Sequence, residues 1–234
     1  MSPHAALVSA LARLAGGEAT ETEREQFVFD LEHILKVLTV KETCALVVPC
    51  LGEYLGEQDY LKTELFRQIP SLVAKLAPAK EVSEGKVYPL LCQLLLKSEE
   101  TVQMEGIEAV KKILGQSTEK GFAEQILESM YGEATEYAKV GSLLLLEALA
   151  KEGVVGANAV QAFVSAQLPK YGEDLTESGF KIKRALLQCL VTISKHLNPT
   201  QISYTVFPTF KKFASQAETW GLRRYCVQVL PEII

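Results

Sequence analysis

Apolar residues recur along most of the chain at the i, i+3, i+4 and i+7 spacing of an amphipathic helix. The spacing is clear in two segments, which contain Phe27, Leu31, Ile34, Leu35 and Leu38, and Val102, Ile107, Val110, Ile113 and Leu114. Alternation of apolar and polar residues, which would indicate strands, is nearly absent. The helical segments are interrupted at regular intervals. The pattern therefore predicts an all-α protein with an internal repeat.

Five segments share one layout, in which an apolar helix is followed by a short acidic turn and a second apolar helix. The second helices begin with an apolar residue and then a basic one, or Gln in one case: Leu61-Lys62, Val102-Gln103, Ala138-Lys139, Ile182-Lys183 and Leu222-Arg223. We call the first residue of each pair the anchor residue. Successive anchor residues are 41, 36, 44 and 40 positions apart. This period is typical of solenoids built from two-helix units that share one continuous core.

Proline recurs at nearly one position of the first helix. Pro49, Pro89, Pro169 and Pro208 precede the next anchor residue by 12, 13, 13 and 14 positions. Because a proline inside a helix removes one hydrogen bond and bends the helix, four prolines at one phase predict a repeated bend.

This combination of a proline-bent helix, an acidic turn and a second helix that starts apolar–basic resembles the HEAT repeat. Glu-Thr-Trp-Gly-Leu222-Arg223 and Gly-Phe-Lys-Ile182-Lys183-Arg184-Ala185 are most similar to the family pattern. Segment 119–152 is least similar, because it has no proline in its first helix and Ala as its anchor residue. The resemblance implies a right-handed α-solenoid of about five HEAT-type helical hairpins.

The resemblance also divides the chain. Residues 1–38 are expected to form a pair of N-terminal capping helices, and residues 39–234 one continuous array. The repeat units lie at about residues 39–78, 83–115, 119–152, 156–197 and 198–234. The last unit stops inside its second helix, which would leave an apolar face open. We therefore expect the array to be truncated at its C-terminus and the native protein to continue with further repeats.

Residues 62–72, Lys-Thr-Glu-Leu-Phe-Arg-Gln-Ile-Pro-Ser-Leu, look like the second helix of a HEAT repeat from scaffold and regulatory subunits of type 2A serine/threonine protein phosphatases. The regulatory subunits of protein phosphatase 4 show the most similar stretch. This resemblance implies a non-catalytic scaffold that docks a phosphatase catalytic subunit or its substrates. In that family the turns inside the repeats contact partner subunits, and the resemblance places Tyr60, Tyr137 and Trp220 at such contacts.

Every turn inside a repeat carries acidic residues, and three turns end in an aromatic residue. We define the predicted binding ridge by these residues: Glu57, Asp59, Tyr60, Glu99, Glu100, Glu136, Tyr137, Glu173, Asp174, Glu218 and Trp220. One interpretation is structural, because acidic residues at a helix start interact favourably with the helix dipole. The other is functional, because aligned turns with exposed aromatic side chains would hold a protein partner.

Basic residues follow the anchor residues, and their role can be interpreted in two ways. They are Lys62, Lys139, Lys183, Arg184 and Arg223. They could form ion pairs with acidic residues of neighbouring repeats. Alternatively, they could form a basic stripe on the concave face that binds an acidic partner.

The composition favours a binding protein over an enzyme. The 234 residues carry a net charge of −5 and only three histidines, His4, His33 and His196. Histidine is the residue used most often in acid–base catalysis. The sequence has no phosphate-binding, dinucleotide-binding, zinc-protease or serine-hydrolase motif, and the cysteine spacing does not fit a zinc site. We therefore expect no enzyme activity, no cofactor and no metal.

Two further functions remain open at this point, a HEAT adaptor of the transport-receptor type and a HEAT-like DNA glycosylase. The acidic balance argues against the glycosylase and against nucleic-acid partners in general, because such binding depends on Lys and Arg. The five cysteines lie among apolar neighbours and are expected to be buried free thiols in a reducing compartment. Neither a signal peptide nor a membrane span is expected, so we predict a cytoplasmic or nuclear protein with protein partners.

Overall fold

The structure is a computed structural model that describes residues 3–56, 58–116, 121–132, 135–172, 179–215 and 218–233. Within these ranges the secondary structure is helical, with no strand. We number the helices α1 (Pro3–Ala15), α2 (Glu21–Val37), α3 (40–56), α4 (Asp59–Lys75), α5 (80–96), α6 (Glu100–Gln116), α7 (Gly121–Tyr131), α8 (Glu136–Lys151), α9 (157–172), α10 (Phe180–Ser194), α11 (199–213) and α12 (Trp220–Val229). The prediction of an all-α protein is confirmed.

The helices pair in order along the chain, from α1 with α2 to α11 with α12, and form two compact units, Met1–Glu119 and Lys120–Ile234. In the first unit, the second helices α2, α4 and α6 pack side by side, and the first helices α1, α3 and α5 do the same. In the second unit, α8, α10 and α12 pack side by side. The Tyr131 ring of α7 lies 5.9 Å from the Phe163 ring of α9. Within each unit, helices of successive hairpins therefore pack against each other.

Each anchor residue is the third residue of its second helix, and each is buried. Leu61, Val102, Ala138, Ile182 and Leu222 are between 0% and 4% exposed. The larger of these side chains each contribute about 1.5–3 kcal/mol to stability by leaving water. The anchor residues therefore belong to the core.

Several helix starts are fixed by side chains that bond the free backbone N–H groups of the first turn. The side-chain oxygens of Thr20, Thr39 and Asn198 each accept from the N–H three residues later. The side chain at that later position accepts in return from the N–H of the capping residue, which completes a capping box. These contacts set where α2, α3 and α11 begin and so hold the hairpin register.

A π turn precedes each of the four prolines that recur at nearly one position of the first helices. These turns are Thr43–Val47, Ser83–Val87, Phe163–Gln167 and Ile202–Val206, and the proline is the second residue after each. In α3, for example, the N–H of Val48 donates to the carbonyl of Thr43, five residues back. The wider turn makes room for a proline ring that would otherwise meet the carbonyl four residues back. The sequence predicted a repeated bend at this position, and the structure shows a repeated π turn there.

Gly106 lies where α6 meets α4 and α5. A methyl group at this position would lie 2.5 Å from Leu95 Cδ2 and 2.9 Å from two ring carbons of Phe66. Gly106→Ala is therefore expected to lower the free energy of unfolding by about 1–3 kcal/mol, because the overpacked site must shift. Urea unfolding followed by circular dichroism measures the change.

Gly115 provides the matched control on the same helix. Apart from its neighbours in the chain and the backbone of its own helix, no atom of the described residues lies within 4 Å of a methyl group placed there. Gly115→Ala is expected to raise the free energy of unfolding by about 0.4–1 kcal/mol, since alanine restricts the unfolded chain. A Gly106→Ala variant as stable as Gly115→Ala would contradict the packing assigned to α4, α5 and α6.

The cysteines are free thiols, as expected. Cys50, Cys92, Cys189 and Cys226 are buried, and Cys44 is half-buried. Burial raises the pKa of the Cys226 thiol to about 11, and it raises the pKa of the Cys189 thiol well above its usual range. Both therefore stay protonated near neutral pH and behave as apolar core residues.

Candidate protein-interaction surface

The described residues of the predicted binding ridge lie at or just before the starts of second helices. Asp59 and Tyr60 open α4, Glu136 and Tyr137 open α8, and Trp220 opens α12. The same placement holds for Glu99 and Glu100 at α6 and for Glu218 before α12. Three predicted members, Glu57, Glu173 and Asp174, lie outside the described residues.

The aromatic members of the ridge are exposed. Tyr60 and Tyr137 are each 44% exposed, and Trp220 is 66% exposed. A fourth aromatic residue belongs with them, because Phe180 opens α10 and is 41% exposed. The sequence analysis missed Phe180, although it stands two residues before its anchor residue, as Trp220 does.

Tyr60 has a structural contact as well as an exposed ring. Its hydroxyl donates a hydrogen bond to Glu25 Oε1 on α2, the neighbouring second helix of the same unit. At this repeat the aromatic residue therefore links two hairpins and also presents part of its ring to solvent.

Glu218 does not belong to an exposed ridge. Its side chain is 9% exposed, and both carboxylate oxygens accept from Lys183 Nζ, at 2.7 and 2.9 Å. The Lys183 side chain is 6% exposed, and its Nζ also lies 5.8 Å from the centre of the Phe213 ring. This ion pair joins α10 to the turn of the following hairpin, so it is part of the packing between repeats.

A continuous basic stripe is not formed either. Lys62 and Lys183 are buried, Lys139 and Arg223 are half-buried, and Arg184 is exposed. Lys62 Nζ lies 3.5 Å from Asp59 Oδ1, and Lys183 pairs with Glu218. Lys183 therefore pairs with an acidic residue of the neighbouring repeat, whereas Lys62 pairs with the first residue of its own helix. Arg24 holds the same fourth position of α2, which the sequence analysis did not notice.

The first turns of α10 and α12 together form a surface of aromatic and basic side chains. Arg224 lies over the Trp220 ring, with 5.4 Å from its guanidinium carbon to the ring centre. Arg184 lies over the Tyr225 ring at 5.8 Å. The Phe180 ring covers Gly221, since a methyl group there would lie 3.7 Å from Phe180 Cε2. We call the exposed side chains of Phe180, Lys181, Arg184, Trp220 and Arg224 the α10–α12 face.

No protein-family profile matches this chain, and no curated protein matches it. The resemblance to HEAT repeats therefore rests on the chain's own repeated residues. In the described ranges, no helix combines the length and apolarity needed to cross a bilayer. The same ranges contain no cluster of three or more His, Cys, Asp or Glu side chains arranged to hold a metal ion.

One carboxylate is buried between helices of the second unit. Glu147 of α8 is buried, and its Oε1 accepts from Gln188 Nε2 of α10 at 3.2 Å. Lys151, one turn further along α8, donates to the same oxygen. A second polar contact lies nearby in sequence, where Ser142 Oγ is 2.8 Å from the Tyr171 hydroxyl oxygen. These contacts satisfy buried polar groups between α8 and its neighbours.

Proposed function

We propose that this chain is a non-catalytic, HEAT-type scaffold that binds other proteins, and that it serves as a regulatory or scaffold subunit of a type 2A-like serine/threonine phosphatase. The proposed architecture is a right-handed α-solenoid. The proposed subunit is of the kind represented by regulatory subunit 1 of protein phosphatase 4. We further propose that it acts in the cytoplasm or nucleus.

The observation that supports a binding function most is the exposure of aromatic side chains at equivalent positions. The anchor residues are buried, whereas the aromatic residues one or two positions before them are 41–66% exposed. Large aromatic side chains are over-represented among the residues that contribute most to protein–protein binding. Helical repeats place such residues along one edge, where a partner can contact several hairpins at once.

The support for the phosphatase assignment comes from two features of the sequence. One is residues 62–72, which resemble a second helix of type 2A phosphatase subunits. The other is the helix–turn–helix layout of five segments, four of which have a proline in the first helix and four of which have an apolar–basic start of the second helix. The transport-receptor type of adaptor shares the repeat style and the acidic balance, so it is the alternative that an experiment must separate.

The test is direct binding of the purified chain to purified type 2A-class catalytic subunits, measured by biolayer interferometry. Trp220→Ala and Tyr137→Ala are expected to weaken binding by about fivefold or more, because each removes an exposed aromatic side chain. Tyr204→Ala is the matched control, since Tyr204 is 81% exposed but lies on a first helix, α11. The Tyr204→Ala variant is expected to bind the catalytic subunit with the affinity of the wild type.

Two results would overturn the proposal in different ways. If no type 2A-class catalytic subunit binds, the phosphatase assignment is wrong. If a catalytic subunit binds but Tyr204→Ala weakens binding as much as Trp220→Ala, the turns of the second helices are not the binding edge. Binding to a nuclear transport factor in place of a phosphatase would support the transport-receptor alternative.

A further inference from the structure

The starts of α10 and α12 share a motif that the other second helices lack. Both read aromatic–x–aliphatic–basic–Arg, as Phe-Lys-Ile-Lys-Arg184 and Trp-Gly-Leu-Arg-Arg224. The helices α4, α6 and α8 instead begin with an acidic residue, and their fifth residues are Thr63, Met104 and Val140. Two adjacent repeats therefore present the same aromatic–arginine combination on neighbouring helices.

This combination creates a local surface of opposite charge to the chain as a whole. Lys181, Arg184 and Arg224 are exposed. Among the described residues, neither arginine has a carboxylate within ion-pair distance. The Glu218 carboxylate forms its ion pair with the buried Lys183. Residues 1–119 contain 12 basic and 18 acidic residues, which gives the first unit a net charge of −6. Residues 120–234 contain 12 basic and 11 acidic residues, which gives the second unit a net charge of +1. The acidic excess of the chain therefore lies in the first unit, whereas the α10–α12 face belongs to the second.

The geometry of the α10–α12 face suits carboxylates. The guanidinium carbons of Arg224 and Arg184 lie over the Trp220 and Tyr225 rings, at 5.4 and 5.8 Å from the ring centres. A guanidinium group can donate two parallel hydrogen bonds to one carboxylate. Trp220 and Phe180 supply apolar area beside these donors, and Trp and Arg are the residues that most often dominate binding energy.

The spacing of the two arginines suits a peptide. They occupy the same position of two packed helices, and the axes of packed helices lie about 8–10 Å apart. In the polyproline II conformation a chain advances about 3.1 Å per residue with three residues per turn, so carboxylates three residues apart lie on one side of the chain, about 9 Å apart. One acidic side chain could therefore reach each arginine, while an apolar side chain on the adjacent side of the chain contacts Phe180 and Trp220.

We propose that the α10–α12 face binds an acidic peptide segment of a partner protein, in which two carboxylates three residues apart flank an apolar side chain. This inference rests on the proposed function as a protein-binding scaffold and adds the chemistry of one partner. A peptide is favoured over nucleic acid because the face offers only three cations on a unit of charge +1, whereas nucleic-acid binding depends on many phosphate contacts.

The test uses the full chain and a fluorescein-labelled peptide built of Asp-Phe-Ser repeats, with binding followed by fluorescence anisotropy. Asp-Gly-Ser repeats remove the apolar side chain, Lys-Phe-Ser repeats reverse the charge, and oligothymidylate represents nucleic acid. The Asp-Phe-Ser peptide is expected to bind at least about tenfold tighter than each of the others. Its affinity should also fall as salt is raised.

The variant Arg184→Gln/Arg224→Gln is expected to weaken binding of the Asp-Phe-Ser peptide about tenfold or more. Lys195→Gln is the matched control, because Lys195 is exposed at the opposite end of α10, and its affinity should stay within about twofold of the wild type. Thermal melting confirms that each variant is folded.

Several results would overturn the inference. The first is that the Asp-Phe-Ser and Asp-Gly-Ser peptides bind equally well, and the second is that oligothymidylate binds more tightly than the Asp-Phe-Ser peptide. The third is that no peptide binds, and the fourth is that Lys195→Gln loses as much peptide affinity as the double arginine variant. The two binding experiments distinguish a failure of this inference from a failure of the proposed function. If a phosphatase catalytic subunit still binds when the peptide does not, only the peptide site is wrong. If the peptide binds and no catalytic subunit does, only the phosphatase assignment is wrong.

Discussion

Leu61→Asp is expected to unfold the hairpins packed around α4 at room temperature. Leu61 is 1% exposed and is the third residue of α4, a helix that packs against α2 and α6. Losing a buried leucine side chain costs about 2–5 kcal/mol, and a buried carboxylate adds a further penalty because it has lost its water. The sum is comparable with the whole stability of a typical domain, about 5–15 kcal/mol. Far-ultraviolet circular dichroism and urea titration measure the loss.

Gln58→Asp is the matched control for the added charge. Gln58 precedes α4, is exposed and makes no side-chain cap to the first turn. Aspartate at this position can accept from a free N–H and interacts favourably with the helix dipole, so the variant should be at least as stable as the wild type. If Leu61→Asp unfolds at the same urea concentration as Gln58→Asp, the anchor residue is not a core residue.

The second large effect is expected at the ion pair between Lys183 and Glu218. Lys183→Met leaves the Glu218 carboxylate buried without its cation, and Glu218→Leu leaves the ammonium group without its counter-ion. Removing one partner of a buried pair costs about 3–5 kcal/mol. The double variant Lys183→Met/Glu218→Leu removes both charges and should recover most of that loss. Urea unfolding of all four proteins gives the coupling energy as a double-mutant cycle.

An exposed pair provides the comparison. Lys36 Nζ lies 3.0 Å from Glu32 Oε1, and both side chains are more than half exposed. Lys36→Met should leave the urea midpoint unchanged, because solvent screens such pairs. The assignment of Lys183 and Glu218 to the packing between repeats would be wrong if Lys183→Met were as mild as Lys36→Met.

The repeat could be predicted from the sequence because its signals are local. An apolar residue followed by a basic one marks the third and fourth positions of α4, α8, α10 and α12, and the structure places the anchor residues in the core. The prolines lie within their helices at one phase. Helix starts are set by nearby side chains, as Thr39 and Glu42 show at α3. Neighbouring positions in the chain therefore carry most of this information.

The burial of the basic residues could not be predicted in the same way. Whether Lys183 faces solvent depends on Glu218, 35 residues further along and on another hairpin. The same holds for Glu147, whose burial depends on Gln188 of α10. Phe180 is a different case, because its position relative to Ile182 repeats that of Trp220 relative to Leu222 and could have been recognised. Side chains that act between repeats need the three-dimensional stacking, which a spacing pattern does not contain.

The prolines also fix the π turns in place. A π turn can migrate along a helix when successive N–H groups exchange a bond five residues back for one four residues back. In α3 the next N–H toward the C-terminus would belong to Pro49, which has none, so the turn cannot move that way. Movement toward the N-terminus would press the proline ring against the carbonyl of Ala45. The π turn is thus fixed at one position in four of the first helices. The direction in which each later side chain of the helix points is fixed as well.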